Sequence, residues 1–298
     1  MQTQEIKKML VIGAGLMGRQ IALQGALFEV EVVMYGRSEI SLARARRHLK
    51  RYASYLTQGG FIGSDKAAQA LKRITLTTDP IVAAANVDLV SESVTENLSL
   101  KQQIWAQFGP LLPAQAILTT NSSMLLPSEF AAACGRPERF LAWHFHQLCF
   151  IKNVVDIMPH AQTDLQYVQT LTEFSRRLQL QPIVLRKEHR GYVFNAMLTN
   201  LLTAALELVV ADVANVEDID RAWKTVMQTP QGPFGIMDGV GLDTVAHILR
   251  FGVAVAPENP LYAGALEWLQ PKIEQGHLGQ KTGRGFYSYS RPKLASVS

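Results

Sequence analysis

At 298 residues and 48% hydrophobic, the chain holds enough apolar sequence to bury a large core and to divide into two domains. Its formal net charge of +4 is too mild for a nucleic-acid surface, and its two cysteines, Cys134 and Cys149, lack metal-ligand spacing; free thiols, a reducing compartment and no metal are expected. No targeting segment precedes the first apolar run, and the apolar stretch 192–210 is interrupted by Asn195, Asn200 and Glu207, so a cytoplasmic protein with a small-molecule substrate is expected rather than a membrane protein.

The first predicted element is the apolar run Met9-Leu10-Val11-Ile12, a buried strand. Gly13-Ala14-Gly15-Leu16-Met17-Gly18 follows, then an amphipathic helix to Leu27 and a second apolar strand, 30–35, ending in Gly36-Arg37-Ser38. Strand, G-x-G-x-x-G, helix and strand in this order form a dinucleotide-binding βαβ unit. Gly13 serves the turn, Gly15 admits a pyrophosphate, and Gly18 lets the helix lie close on the strand. The first helical turn, with Leu16 and Met17, offers free N–H groups and the positive dipole end to the phosphates. NAD-binding chains hold the ribose 2′-hydroxyl with an acidic residue at the end of the second strand. Here that position is Gly36, and Arg37 and Ser38 offer a guanidinium and a hydroxyl to a 2′-phosphate. NADP is the expected cofactor, with NAD as the alternative.

Residues 39–56 form a predicted helix carrying Arg44, Arg46, Arg47, Lys50 and Arg51, either a solvated face or a cationic surface for phosphate groups. Gln58-Gly59-Gly60 breaks it. Strands are predicted at 74–76 and 87–90, the second leading to Glu92, then a helix at 99–108. A strand at 116–119 delivers Asn121-Ser122-Ser123 to its carboxyl end, where ligands bind in open α/β sheets. Extended segments at 140–145 and 154–158, a helix at 164–178 and a strand at 181–185 complete the alternation, which stops near Lys187. Beyond it the pattern is helical, at 192–210, 216–227, 244–255 and 263–274, punctuated by Pro230 and Gly232-Pro233. The predicted architecture is a Rossmann-type doubly wound α/β domain over 1–187 followed by an all-α domain over 188–298. A helix as apolar as 192–210 in so small a domain needs cover from a second chain, so a homodimer is expected. The tail 279–287 is glycine-spaced, basic and aromatic-ended, unlike a disordered terminus; fraying is expected from Pro292 on.

For proton transfer, His144 ends one strand-like run and Asp156 lies in the next, so two paired strands would bring an imidazole to a carboxylate. A strand histidine is as readily a satisfied core group, and His146 and His160 compete on spacing alone.

Gly13–Gly18, Val94-Thr95-Glu96-Asn97-Leu98, Asn121-Ser122-Ser123, His144-Phe145, Gly191-Tyr192-Val193-Phe194-Asn195, Gly232-Pro233-Phe234 and Lys281-Thr282-Gly283-Arg284-Gly285-Phe286-Tyr287 occur in this order and spacing. From about Lys8 to Tyr289 the chain thereby resembles the short-chain L-3-hydroxyacyl-CoA (3-hydroxybutyryl-CoA) dehydrogenases. The resemblance implies a Rossmann-type domain followed by a helical dimerisation domain, and reversible hydride transfer between a 3-hydroxyacyl thioester and a nicotinamide cofactor. By position it implies His144 as catalytic base, Asp156 in place of an orienting glutamate, and Ser123 touching both cofactor and substrate. It further implies Asn195 on the substrate carbonyl and Glu96, Lys101 and Lys281 on the cofactor side. His144 would accept the hydroxyl proton in oxidation and return it in reduction, with Ser123 and Asn195 donating to the reacting oxygens.

Three positions depart from the family pattern. Phe145-His146-Gln147-Leu148 stands where Phe-Phe-Asn-Pro is usual, Asp156 where Glu is usual, and Gly36 where an acidic residue is usual. The expected activity is an NADP-preferring dehydrogenase of a short-chain 3-hydroxyacyl-CoA. The altered loop after His144 motivates an alternative, a dehydrogenase of a free hydroxy acid or sugar acid. A second alternative is a chain that binds NADP without catalysing.

Overall fold

The computed structural model describes residues 5–290, so the predicted fraying from Pro292 lies outside the described residues. Its strands are β1 (Lys8–Ile12), β2 (Glu31–Tyr35), β3 (Ile74–Thr77), β4 (Leu89–Glu92), β5 (Ile117–Thr120), β6 (Phe140–Phe145), β7 (Val154–Pro159) and β8 (Gln181–Val184). Its helices are α1 (Leu16–Leu27), α2 (Glu39–Gln58), α3 (Ser64–Lys72), α4 (Pro80–Ala84), α5 (Leu98–Phe108), α6 (Leu165–Arg177), α7 (Phe194–Val210), α8 (Val216–Met227), α9 (Pro233–Val240), α10 (Leu242–Val255) and α11 (Pro260–Glu274). None of the described helices is long and apolar enough to cross a membrane.

The chain divides into two compact units, Met1–Val193 and Phe194–Ser298. The division falls a few residues beyond the predicted 187/188 because the intervening segment is tied to the first unit. Glu188 accepts the Ser128 N–H (2.8 Å), Arg190 pairs with Glu129 (2.9 Å), and the Tyr192 hydroxyl donates to the Ser122 carbonyl (2.6 Å).

In the first unit the sheet order is β3-β2-β1-β4-β5-β6-β7-β8, parallel from β3 to β6, with β7 antiparallel to β6 and β8 parallel to β7. The chain reverses its direction of travel across the sheet between β1 and β4, which is where doubly wound folds bind dinucleotides. Central strands are buried because helices cover both faces; β4, β5 and β6 are buried along their whole length. Trp105 and Phe130 meet Phe140 edge-on at 5.0 and 5.5 Å beneath that region. This packing fixes the ends of β5 and β6, which carry Asn121-Ser122-Ser123 and His144.

The second unit is helical, built around buried Leu202, Leu206, Phe234, Met237, Leu242, Leu249 and Leu269. Its glycine-spaced tail is held by two buried carboxylates. Asp238 accepts the N–H groups of Phe286 and Tyr287 (both 2.9 Å) and the Tyr289 hydroxyl (2.8 Å). Asp220 accepts the N–H groups of Phe234 (2.8 Å) and Gly235 (3.0 Å) and the Tyr287 hydroxyl (3.0 Å).

Candidate active site

The glycine loop after β1 has the shape its sequence predicts. Gly13 has φ of 117°, and a Cβ there would lie 2.6 Å from the Ser93 carbonyl oxygen. A Cβ on Gly18 would lie 2.0 Å from the Gly13 carbonyl oxygen, so α1 reaches its packing distance only with glycine there. At Gly15 a Cβ would meet nothing within 4 Å. Gly15 caps α1 without a side-chain hydrogen bond, and no acidic residue occupies the first turn, which includes Leu16 and Met17. Open space in front of uncapped helix N–H groups fits the pyrophosphate of a dinucleotide.

At the end of β2, Gly36 is buried, and a Cβ there would lie 2.5 Å from Leu42 Cδ2 and 2.9 Å from Ser41 Oγ. Arg37 is exposed, and among the described residues it has no ion-pair partner. Ser38 caps α2, its Oγ accepting the Ser41 N–H at 3.3 Å. The nearby Glu39 carboxylate accepts from Thr78 (3.2 Å). The strand end therefore carries one free cation and no acidic side chain at the ribose-reading position.

Across β1 in the same sheet, the β4 and β5 ends are braced by buried charge. Glu92 and Lys101 are essentially inaccessible, at 0% and 1% exposure, and the ammonium lies 2.8 and 3.0 Å from the two carboxylate oxygens. Glu92 also accepts from Thr120 Oγ1 (2.7 Å) and the Val94 N–H (2.8 Å), so it joins three segments. A pair this buried is costly to break, because either partner alone would be an uncompensated charge. Glu96, 3.8 Å from Lys101, accepts from Ser122 Oγ (2.5 Å) and from the N–H groups of Met124 (2.8 Å) and Leu125 (3.0 Å). Glu96 and Lys101 thus shape the loop that presents Ser123.

Antiparallel β6 and β7 place His144 directly opposite Asp156. His144 Nδ1 lies 3.1 Å from Asp156 Oδ2, and His144 Nε2 lies 3.3 Å from Ser123 Oγ. Donation from Nδ1 to the carboxylate leaves the Nε2 lone pair directed at the serine hydroxyl, a tautomer assigned from this network. The ring stacks on Tyr192 at 4.4 Å and 3°. Burial, opposed by the Asp156 hydrogen bond, holds the His144 imidazole below its ordinary value. Burial pulls the Asp156 carboxyl up, but hydrogen bonds from two imidazoles outweigh it and hold it below the carboxylate range. The arrangement can take a proton at Nε2 and stabilise the resulting cation.

The structure sets His160 apart from the other two histidines. His160 is turned elsewhere, its Nε2 lying 2.9 Å from the Pro137 carbonyl. His146, in contrast, reaches the same Asp156 oxygen through Nε2 at 3.1 Å. Sequence reasoning listed His146 only as a rival base; the i, i+2 spacing from His144 on one strand face was the available signal. The ligand-type atoms of His144, His146 and Asp156 lie within 4.8 Å of one another. Asn195 and Lys281 belong to the second unit. Asn195 lies in the first turn of α7, half-buried, and the Lys281 ammonium pairs with Asp243 at 2.5 and 2.6 Å.

In sequence, residues 8–189 match the family model of the 3-hydroxyacyl-CoA dehydrogenase NAD binding domain and residues 191–289 that of its C-terminal domain. The mitochondrial hydroxyacyl-coenzyme A dehydrogenase of Rattus norvegicus is 32% identical over 95% of this chain and 91% of its own length. A probable 3-hydroxybutyryl-CoA dehydrogenase of Deinococcus radiodurans is 31% identical over 94% of this chain and 99% of its own. Among solved structures, a diketoreductase described as performing substrate-directed dual catalysis of dicarbonyl compounds superposes with a TM-score of 0.90 and 36% identity, covering 96% of this chain and 100% of that one.

Proposed function

We propose a specific reaction for this chain, which belongs to the 3-hydroxyacyl-CoA dehydrogenase family: reversible oxidation of a short-chain 3-hydroxyacyl-CoA to the 3-oxoacyl-CoA, with NADP(H) preferred over NAD(H). The observation that carries the reading is the line Ser123 Oγ, His144 Nε2, His144 Nδ1, Asp156 Oδ2, with steps of 3.3 and 3.1 Å. A bound nicotinamide dinucleotide would supply the acceptor for the hydride leaving the carbinol carbon. His144 Nε2 accepts the hydroxyl proton in oxidation and returns it in reduction. Asp156 holds the ring and balances its charge, and Ser123 donates to the reacting oxygen. The family resemblance implies Asn195 on the substrate carbonyl and Lys281 on the cofactor side.

The preference for NADP rests on Gly36, Arg37 and Ser38. An acidic side chain is missing at the strand end, a free guanidinium and a hydroxyl stand beside it, and Leu42 already fills the space a side chain at position 36 would take. The thioester rests on the cations of α2, where Arg44, Arg46, Arg47, Lys50 and Arg51 are all exposed. On α1, Arg19 is buried and its Nη1 has no partner among the described residues. Such a surface suits the phosphates of a CoA tail. The cytoplasm as location and a homodimer as assembly complete the reading; exposed Met197, Leu208 and Val210 on α7 support the latter.

A second reading, reduction of a free dicarbonyl compound, is favoured by the likeness to the diketoreductase and by the altered residues after His144. Steady-state reduction of acetoacetyl-CoA and of a free 3,5-diketo ester, each with NADPH and NADH, tests both. The first reading predicts the highest kcat/KM for acetoacetyl-CoA with NADPH. A preference for the diketone would select the second, and a lower KM for NADH would overturn the cofactor assignment.

A further inference from the structure

His144 lies in β6 and His146 stands one residue beyond its end, and both rings turn to the same carboxylate. Asp156 on β7 meets both, and both arrive at one oxygen. Oδ2 lies 3.1 Å from His144 Nδ1 and 3.1 Å from His146 Nε2, while Oδ1 is buried with no hydrogen-bond partner among the described residues. The two rings meet edge to face at 5.0 Å and 78°. Asp156 and His144 are almost wholly enclosed, and the His146 side chain keeps 13% exposure.

One negative charge is therefore shared between two imidazole N–H groups. Each hydrogen bond withdraws part of the charge from the other, and positive charge on either ring repels the other at close range. Ser123 meets the other ring nitrogen, Nε2, of His144. The Glu96 carboxylate is held by Ser122 and two backbone N–H groups, and the Tyr192 hydroxyl by the Ser122 carbonyl. His146 is the group left to adjust how strongly Asp156 serves His144.

We propose that His146 is a positioning residue of this reaction: its Nε2–H braces the short Asp156 side chain against His144 and takes a share of the carboxylate charge, which sets the proton affinity of the catalytic imidazole. The proposal rests on the dehydrogenase reading for its kinetic consequence, but its protonation consequence holds without any substrate. Replacing His146 by Phe removes the competing donor, leaves Asp156 to His144 alone, and raises the proton affinity of His144. His146→Gln keeps an amide N–H in the place of Nε2 and restores the sharing.

Two measurements on the full chain test this. The first is NMR titration of the His144 ring in wild type, His146→Phe and His146→Gln, with His146→Leu replacing Phe should that variant not fold. The midpoint is expected to rise by about half to one pH unit in the Phe variant and to lie near wild type in Gln. The second is the pH profile of hydroxyacyl-CoA oxidation, which needs neutral His144. Because burial, opposed by Asp156, holds His144 below its ordinary value, the wild-type rate falls only at a pH below the ordinary imidazole range. The acid limb moves upward in the Phe variant, a loss of about threefold to tenfold on that limb. A shifted midpoint without turnover would sustain the role of His146 and sink the dehydrogenase reading. An unmoved midpoint with pH-independent loss of kcat would reduce His146 to a packing residue and overturn the proposal.

Discussion

Arg37 is exposed, ends no ion pair among the described residues, and stands next to a strand end from which the acidic ribose ligand is missing. A guanidinium donating to a phosphate dianion contributes about 1.5–3 kcal/mol. Arg37→Gln should therefore raise the KM for NADPH by about tenfold to a hundredfold and leave the KM for NADH within about twofold. This is a cleaner test than an acidic substitution at position 36, which would have to displace the buried Leu42 side chain before it could reach any ribose. Equal loss with both cofactors would place Arg37 on the shared pyrophosphate instead. Residue types alone made this corner readable, because each carries its charge wherever the side chain points. Asp156 was harder. Its closeness to His144 followed from predicted pairing of β6 and β7, but its second imidazole depended on the diagonal reach of a side chain across that pair. No spacing rule separates a rival base from a brace.

Elements with a clear apolar period were legible in the sequence, and those without one were not. Residues 140–145 and 216–227 were predicted with the bounds of β6 and α8. By contrast α3 was unread, since only Ala67 and Ala70 are buried in a polar nine-residue helix and leave no apolar stripe. The sequence of α9 reads as a break because Gly232-Pro233 looks like punctuation, yet proline at the first helical position starts a helix as well as ending one. The tail 279–287 was recognised as ordered without a reason, and Asp238 supplies it. This carboxylate sits far away in sequence, 1% exposed, and receives two backbone N–H groups and a tyrosine hydroxyl. Asp238→Ala would leave those partly buried donors unpaired and is expected to cost about 2–4 kcal/mol. Hydrogen exchange at Phe286 and Tyr287 would register it as lost protection, and unchanged protection would refute the latch.

In the whole molecule, the first unit carries the dinucleotide loop, the proton-transfer line and the basic helix, while the second offers Asn195, Lys281 and an apolar helical surface. Met197 is 62% exposed and Val213 66% in the single chain, more apolar surface than a solitary small helical unit comfortably presents to water. Light scattering at micromolar concentration is expected to give the mass of two chains; a monomer would leave that surface unexplained. The account as a whole stands on His144 as the group that moves the proton. The direct test is the turnover of acetoacetyl-CoA by His144→Gln, measured with NADPH alongside the affinity of the same variant for NADPH. The expected result is a fall in kcat of about 10²–10⁴ with cofactor binding unchanged, and near-normal turnover in that variant would contradict the account.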